Sequence, residues 1–299
     1  MNGAPLVSVL MTAYNRQQYI ADAIQSVLNS TYVNFELIIC DDCSIDDTVA
    51  IARSFAQEDH RIQVHVNNRN LGDYPNRNRA ASYAKGKYLF YVDSDDMILK
   101  DGIENCIDNF LRFPEARFAT YYSMPANDVR LLPPAIAIRN HFFKQPYLMI
   151  GPTGTIIERE YFIDIGGFPE KYGPANDNYY NLKAAAGTPV LLIPFLFYFY
   201  RTHPTQEIHN LYSYLYNNYR YTKDALNELQ LHLTASQVQW LQKKNKRRFL
   251  INIFRFLKNS KDISKTVTAI NKAGFSFNDA MIAIFHFYSK AEKSRIFNM

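Results

Sequence analysis

Short apolar runs alternate with amphipathic stretches through the first two thirds of the chain. Leu6–Met11 is apolar except for Ser8. Such a run predicts a strand covered on both faces. Tyr19–Leu28 places Ile20, Ala23, Ile24, Val27 and Leu28 on one helical face. Phe35–Cys40 predicts a second strand, running into Asp41-Asp42. Asp46-Asp47-Thr48 then opens a helix through Phe55, where Asp and Thr suit an N-cap and first turn. Ile62–Val66 predicts a third strand, Asn70-Leu71-Gly72 a turn, Arg77–Ala84 a helix and Tyr88–Val92 a fourth strand.

That alternation predicts an α/β fold, a mostly parallel sheet with helices on its faces. Ligands of such sheets bind outside the carboxyl ends of the strands. Three predicted strands end in polar groups there: Thr12-Ala13-Tyr14-Asn15, Asp41-Asp42 and Asp93-Ser94-Asp95-Asp96. Residues 100–150 are mixed. Residues 151–175 carry Gly151, Gly154, Gly166, Gly167 and Gly173, too many for regular helix. Tyr179–Ala186 reads as a short helix and Val190–Tyr200 as one strand or two. Beyond about Ile208 glycine nearly vanishes and helical periodicity takes over.

The run Tyr88–Val92 delivers Asp93, Asp95 and Asp96 within four positions. Ionised carboxylates without partners are costly inside a core. A divalent cation would compensate them, and hard oxygen ligands suit Mg²⁺ or Mn²⁺ with substrate phosphates completing the shell. A solvated turn after a strand is the alternative that this motif alone leaves open.

Composition narrows the class. The chain has 299 residues, 47% hydrophobic and 15% aromatic, which predicts a globular protein. The longest apolar run, Val190–Tyr200, contains Pro194 and falls well short of the ~20 residues of a membrane span. No secretory leader is expected, and three cysteines fit a reducing cytoplasm. Cys40 and Cys43 form a C-x-x-C, but zinc would need a second ligand pair, and a thioredoxin-type pair would open a helix. Charge is uneven. Residues 207–299 hold 15 Lys/Arg against 6 Asp/Glu, and residues 1–206 hold 18 against 22. The basic end contains no recognised nucleic-acid module, so no nucleic-acid partner is expected. A nucleotidyltransferase would want a Gly-rich basic loop after the first strand, where Thr12-Ala13-Tyr14-Asn15 stands.

In order and spacing, these segments resemble a family 2 glycosyltransferase of the GT-A fold. The resemblance covers residues 5 to about 205. It rests on Val7–Asn15, Asp41–Thr48, Asn70-Leu71-Gly72 with Arg77-Asn78-Arg79, Ala84–Tyr88, the Asp93–Asp96 cluster, Gly166–Glu170, Asn176-Asp177 and Tyr200-Arg201-Thr202-His203. It implies a Rossmann-like GT-A catalytic domain over 1–206, with a nucleotide-binding half at 1–100 and an acceptor half at 101–206. A basic helical extension follows over 207–299. It also implies an inverting, metal-dependent transferase that uses a nucleotide-sugar, expected to be a UDP-sugar, and a glycan or lipid-linked acceptor hydroxyl.

By the same resemblance, Asp42 reads the uracil imide, and Thr12, Ala13, Tyr14 and Asn15 line the nucleotide pocket. Arg77 approaches the base or phosphates. Asp93 and Ser94 hold the donor, and Asp93, Asp95 and His203 serve the Mn²⁺ or Mg²⁺. Arg201 pairs with a phosphate, Gly166, Gly167 and Phe168 form a wall for the donor sugar, and Asp177 is the general base. Structural alternatives stand beside each role: a cap or solvated acid for Asp42 and Asp177, core packing for Tyr14, a bystander imidazole for His203. Thr12 stands where the family usually has Pro, Cys43 and Ile45 where it has Gly and Thr, and Ala80 where Gly is common. Asn176 stands where Glu usually precedes the catalytic Asp, which suggests a non-catalytic, sugar-nucleotide-binding GT-A domain as the alternative. Finally, Lys243, Lys244, Lys246, Arg247 and Arg248 abut the aromatic run 249–257. This composition predicts peripheral contact with an anionic membrane through 243–257, at the inner face of the membrane.

Overall fold

The computed structural model describes residues 3–123, 128–203, 206, 210–285 and 296. Ten strands and eleven α-helices are found among them. The strands are β1 (Val7–Ala13), β2 (Phe35–Asp41), β3 (Ile62–Val66), β4 (Tyr88–Asp93), β5 (Met97–Ile98), β6 (Phe118–Tyr121), β7 (Arg130–Leu132), β8 (Thr155–Glu158), β9 (Val190–Ile193) and β10 (Tyr198–Phe199). The helices are α1 (Ile20–Leu28), α2 (Thr48–Glu58), α3 (Asp73–Tyr83), α4 (Gly102–Arg112), α5 (Pro134–Phe143), α6 (Arg159–Asp164), α7 (Asn176–Gly187), α8 (Leu211–Glu228), α9 (Ala235–Ser260), α10 (Ile263–Ala273) and α11 (Phe277–Phe285).

Eight strands form one sheet in the order β3-β2-β1-β4-β8-β6-β9-β7. The first four are parallel, as the alternation with helices requires; β8 and β7 run antiparallel to their neighbours. The apolar run 190–200 divides at Pro194: β9 joins the large sheet, and β10 pairs antiparallel with β5.

The strands are continuously apolar because both faces are covered. Val7, Val9, Met11, Leu37, Ile39, Phe90 and Val92 point to one core with α1 and α4. Leu10, Ile38, Cys40, Leu89 and Tyr91 point to the other, against α3, α5 and α7. That second core also takes Tyr221, Ala225 and Leu226 from α8 and Trp240 and Leu241 from α9. The basic extension is therefore packed on the sheet's helical layer. A smaller core of Tyr219, Phe249, Ile253, Ala269 and Ala273 joins α8, α9 and α10.

Register sets the site. Thr12 pairs with both Cys40 and Asp93, and Ala13 with Asp41. The carboxyl ends of β1, β2 and β4 therefore end level. The chain leaves β1 for β2 on one side and reaches β4 on the other, so a crevice opens at this switch point. Gly86 sits at the opposite end of β4, where a Cβ would lie 2.5 Å from the Ser8 amide nitrogen.

Candidate active site

A cleft of about 1480 Å³ lies over those strand ends. Thr12, Ala13, Tyr14, Asn15, Asp42 and Arg77 line one part of it, and Asp93, Ser94, Asp95, Asp96 and Asp177 another. Asn15 adopts a left-handed conformation, with φ 53°. Its backbone N–H donates to Ser44 Oγ at 2.8 Å, and its side-chain oxygen accepts from the Ile45 N–H at 3.0 Å. These bonds tie the β1 and β2 loops together. Cys43 is also left-handed, with φ 66°. A glycine adopts that conformation without steric cost, which accounts for the family's Gly at this position.

Asp42 is buried. Its carboxylate accepts from Asn67 Nδ2, Leu71 N and Gly72 N, each at 2.8 Å. Gly72 presents its N–H from φ 91°, a backbone that favours glycine. Of the roughly four lone-pair positions on a carboxylate, about one is left for a ligand.

Arg77 is buried between two acids. Its Nε lies 2.8 Å from Asp73 Oδ1 and its Nη1 lies 2.6 Å from Asp93 Oδ1. Burial disfavours the guanidinium charge, but Asp73 and Asp93 hold it firmly protonated. Its Nε and Nη1 face these carboxylates while the residue also borders the cleft, a placement that orients Asp93.

The nearest ligand oxygens of Asp93, Asp95 and Asp96 all lie within 4.8 Å of one another. Asp95 Oδ2 receives both Arg16 Nε and His203 Nε2 at 2.9 Å. Asp96 is buried and accepts from the Arg201 N–H at 3.0 Å. Burial, then the charge of Asp93, pushes its carboxyl up to about 8. An all-oxygen group with excess negative charge fits a hard divalent cation. His203 reaches this group through Asp95 and stacks on Tyr19 at 4.8 Å between centroids.

Asp177 lies in the first turn of α7, where its Oδ1 accepts from the Asn178 N–H at 2.7 Å. It keeps an edge on the cleft. Burial raises its carboxyl to about 7, against the pull of the Asn178 N–H and Arg77; Asp73 and Asp93 add to the rise. Beside it, Asn176 is buried, and its side-chain oxygen accepts from the Tyr172 N–H at 2.9 Å.

The surroundings of this cleft match known proteins. Residues 8–166 fit the sequence profile described as Glycosyl transferase family 2. The chain belongs to this family. It is 39% identical over 127 residues to the "Putative teichuronic acid biosynthesis glycosyltransferase TuaG" of Bacillus subtilis (strain 168), covering 42% of this chain and 50% of that protein. It is 38% identical over 107 residues to the Escherichia coli "UDP-Glc:alpha-D-GlcNAc-diphosphoundecaprenol beta-1,3-glucosyltransferase WfgD", covering 36% and 42%. The chain thus spans about half or less of the length of these curated relatives. Among solved structures, S. aureus TarS 1–349 in complex with UDP-GlcNAc aligns with a TM-score of 0.71 at 19% identity, over 93% of this chain and 81% of that one. A mannosyltransferase from Pyrobaculum calidifontis in complex with GDP-Man and Mn²⁺ aligns with a TM-score of 0.61 at 16% identity, over 99% and 84%. The fold is the GT-A type that the resemblance implied.

Not every residue expected from family 2 reaches the cleft. Gly166 and Gly167 are left-handed turn residues, with φ 78° and 63°, and lie off its lining. A Cβ on Gly167 would meet Asn78 Oδ1 at 2.7 Å, so this glycine allows close packing of the turn on α3. Phe168 is buried against Tyr74, Tyr91 and Tyr180. The cleft wall comes instead from Gly151–Gly154, Glu170 and Gly173. Arg201 turns away: its Nη2 lies 3.0 Å from Asp22 Oδ2 and its guanidinium carbon 5.2 Å from the Tyr19 ring centroid. Its backbone N–H, not its charge, serves the acidic group. Arg16 and Asp73 join the expected residues, and Asp96, expected only as one of the three clustered carboxylates, gains a specific place in the group. Asp96 stood beside Asp95 in the same acidic run, whereas nothing in sequence marked Arg16.

Proposed function

We propose that this chain is an inverting, metal-dependent glycosyltransferase. It would move a sugar from a nucleotide-sugar, most simply a UDP-sugar, to a hydroxyl of a glycan or lipid-linked acceptor. One observation carries the proposal: Asp177, raised to about 7, opens into the same cleft as the three acids at the end of β4.

Asp93, Asp95 and Asp96 would hold Mn²⁺ or Mg²⁺, which when bound supplies Lewis-acid neutralisation of the departing diphosphate. Arg77 fixes Asp93, and Arg16 and His203 fix Asp95. Thr12, Ala13, Tyr14 and Asn15 shape the nucleotide end, with Asp42 offering its remaining lone pair to an N–H of the base. Asp177 takes the proton of the acceptor hydroxyl as that oxygen bonds the anomeric carbon and the bond to the diphosphate breaks. A base near neutrality balances ionisation against proton affinity. TuaG is named for teichuronic acid biosynthesis and WfgD for glucosyl transfer from UDP-Glc to alpha-D-GlcNAc-diphosphoundecaprenol, which supports a glycan or lipid-linked acceptor.

The non-catalytic alternative was motivated by Asn176. Its side chain bridges back to Tyr172 and leaves Asp177 open to the cleft, so the substitution does not favour that alternative. We place the protein in the cytoplasm, touching the inner membrane face. No helix among the described residues is long and apolar enough to cross a membrane. Phe249 and Ile253 are spent on the core, so the membrane contact narrows to the exposed stripe of α9: Lys244, Arg247, Arg248, Ile251, Phe254 and Arg255. A panel of nucleotide-sugars tests the function, by thermal shift with Mn²⁺ and by release of free nucleotide. A donor should raise Tm and be hydrolysed slowly only with metal. No metal-dependent stabilisation and no turnover across the panel would exclude the transferase assignment.

A further inference from the structure

A second recess, of about 380 Å³, adjoins the cleft. Lys171, Ser213, Tyr216, Asn217, Arg220 and Lys272 line it, so it holds three cations and no acid. Gly173 and Ser213 border both cavities, which makes the recess a side chamber of the cleft. Lys171 and Gly173 lie on the loop that leads into α7 and Asp177. Ser213, Tyr216, Asn217 and Arg220 come from α8 and Lys272 from α10. The chamber is thus built between the base-bearing loop and the C-terminal helices.

Two of its cations, Arg220 and Lys272, are held by neutral groups. Arg220 Nη1 donates to Asn217 Oδ1 at 3.0 Å, and the guanidinium carbon lies 5.8 Å from the Tyr172 ring centroid. Lys272 Nζ lies 5.1 Å from the Tyr216 centroid. Neither has a carboxylate within ion-pair distance among the described residues. Lys171 is shared loosely between Asp224 and Glu228, at 3.5 Å from each. Asn217 is buried and donates its amide to Ser213 Oγ at 3.2 Å, which fixes the fork that Arg220 presents.

We propose that this chamber binds an anionic group of the acceptor, a phosphate or a carboxylate, and so selects acidic acceptors. The proposal rests on the glycosyltransferase assignment and adds the acceptor's chemical class to it. A neutral sugar needs no such charge, whereas an oxyanion matches a planar guanidinium and a nearby ammonium. The donor diphosphate has its own place at the β4 acids. The chamber meets the cleft at Gly173, on the loop that leads to Asp177, the base that would take the acceptor's proton.

Calorimetric titration of the full chain, saturated with UDP and Mg²⁺, tests this with methyl phosphate, methyl glucuronide and neutral methyl glucoside as probes. At least one anion should bind the native protein while the glucoside does not. The anion that binds tells a phosphate from a carboxylate source. The double variant R220Q/K272Q should weaken that binding at least tenfold and leave UDP binding unchanged, which also reports a folded protein. K272Q alone, at the exposed rim, should weaken it severalfold and covers the case in which the double variant does not fold. No anion binding to the native protein, or binding unchanged in these variants, would overturn the proposal. Failure of UDP itself to bind would count against the transferase assignment, and the anion titration then reads the chamber separately.

Discussion

His203 Nε2 lies 2.9 Å from Asp95 Oδ2, across 108 positions of sequence. The same carboxylate oxygen receives Arg16 Nε at 2.9 Å from the β1 loop. One acid at the end of β4 thereby gathers two distant segments. The loop after β10 is held over the β1–β4 crevice by this contact and by the Arg201 N–H on Asp96.

Asp95→Ala should abolish metal-dependent binding of UDP and leave the circular dichroism spectrum native. Asp95 is buried at the strand end and holds Arg16 and His203, so its removal releases the loop after β10 but leaves the sheet and its helices in place. Arg16 remains partly solvated, which limits the cost of losing its partner. Titration of UDP with and without Mn²⁺ checks this, and unchanged metal-dependent affinity would remove Asp95 from the metal group.

Asp177→Asn should lower turnover by roughly 10²–10⁴-fold, the contribution of a positioned base, with UDP affinity nearly unchanged. The same variant should melt higher than the native protein at pH 8. The folded carboxyl titrates near 7, above its ordinary value of 3.8. The folded state therefore binds the proton more tightly than the unfolded state, and stability falls as pH rises from the unfolded value towards 7. Asn removes that loss. A lower Tm at pH 8 would contradict this account of the burial.

The rate should carry the same group in its pH profile. Asp177 acts as a base only when ionised, so kcat/KM should rise with pH along an acid limb lying above the ordinary carboxylate range. Steady-state kcat/KM values from pH 5 to 9 check it. A flat profile through that range would mean that another group takes the proton.

Cys43→Gly should stabilise the protein. The backbone holds φ 66° at this position, where a β-carbon is strained. Relief of the strain exceeds the extra freedom glycine brings to the unfolded chain by about 0.5–1 kcal/mol, a rise of roughly 2 °C in Tm. Scanning calorimetry of the two proteins decides it.

Replacing Lys244, Arg247, Arg248 and Arg255 with Gln should reduce co-sedimentation with anionic vesicles at low salt and leave UDP binding intact. Each basic residue near such a surface contributes up to ~1 kcal/mol, and salt screens it. Equal pelleting with neutral vesicles, or no effect of the substitutions, would exclude the membrane contact.

The parallel half of the sheet was legible in the sequence because strands covered on both faces must be continuously apolar. Leu6–Met11, Phe35–Cys40 and Tyr88–Val92 carry that pattern, and their polar ends placed Asp42 and Asp93–Asp96 at one edge of the sheet. Helix starts were less legible. α3 begins at Asp73 and α7 at Asn176, each three or four residues before its apolar periodicity appears, because a polar first turn carries no such signal.

What each polar side chain meets was decided only by tertiary structure. Local sequence marks Arg77 and Arg201 alike, as cations beside motif residues. Packing buries Arg77 between Asp73 and Asp93 and turns Arg201 outward to Asp22. Gly166 and Gly167 read as ligand-facing, yet the turn they form is packed on Asn78 and Phe162. The basic run at 243–248 reads as a membrane-facing segment, while Trp240 and Leu241 pack its helix on the body and Phe249 on α8 and α10. Periodicity and strand-end chemistry are local properties and can be read along the chain. The partner of a charge depends on which distant segments the sheet register and helix packing bring within a few ångströms.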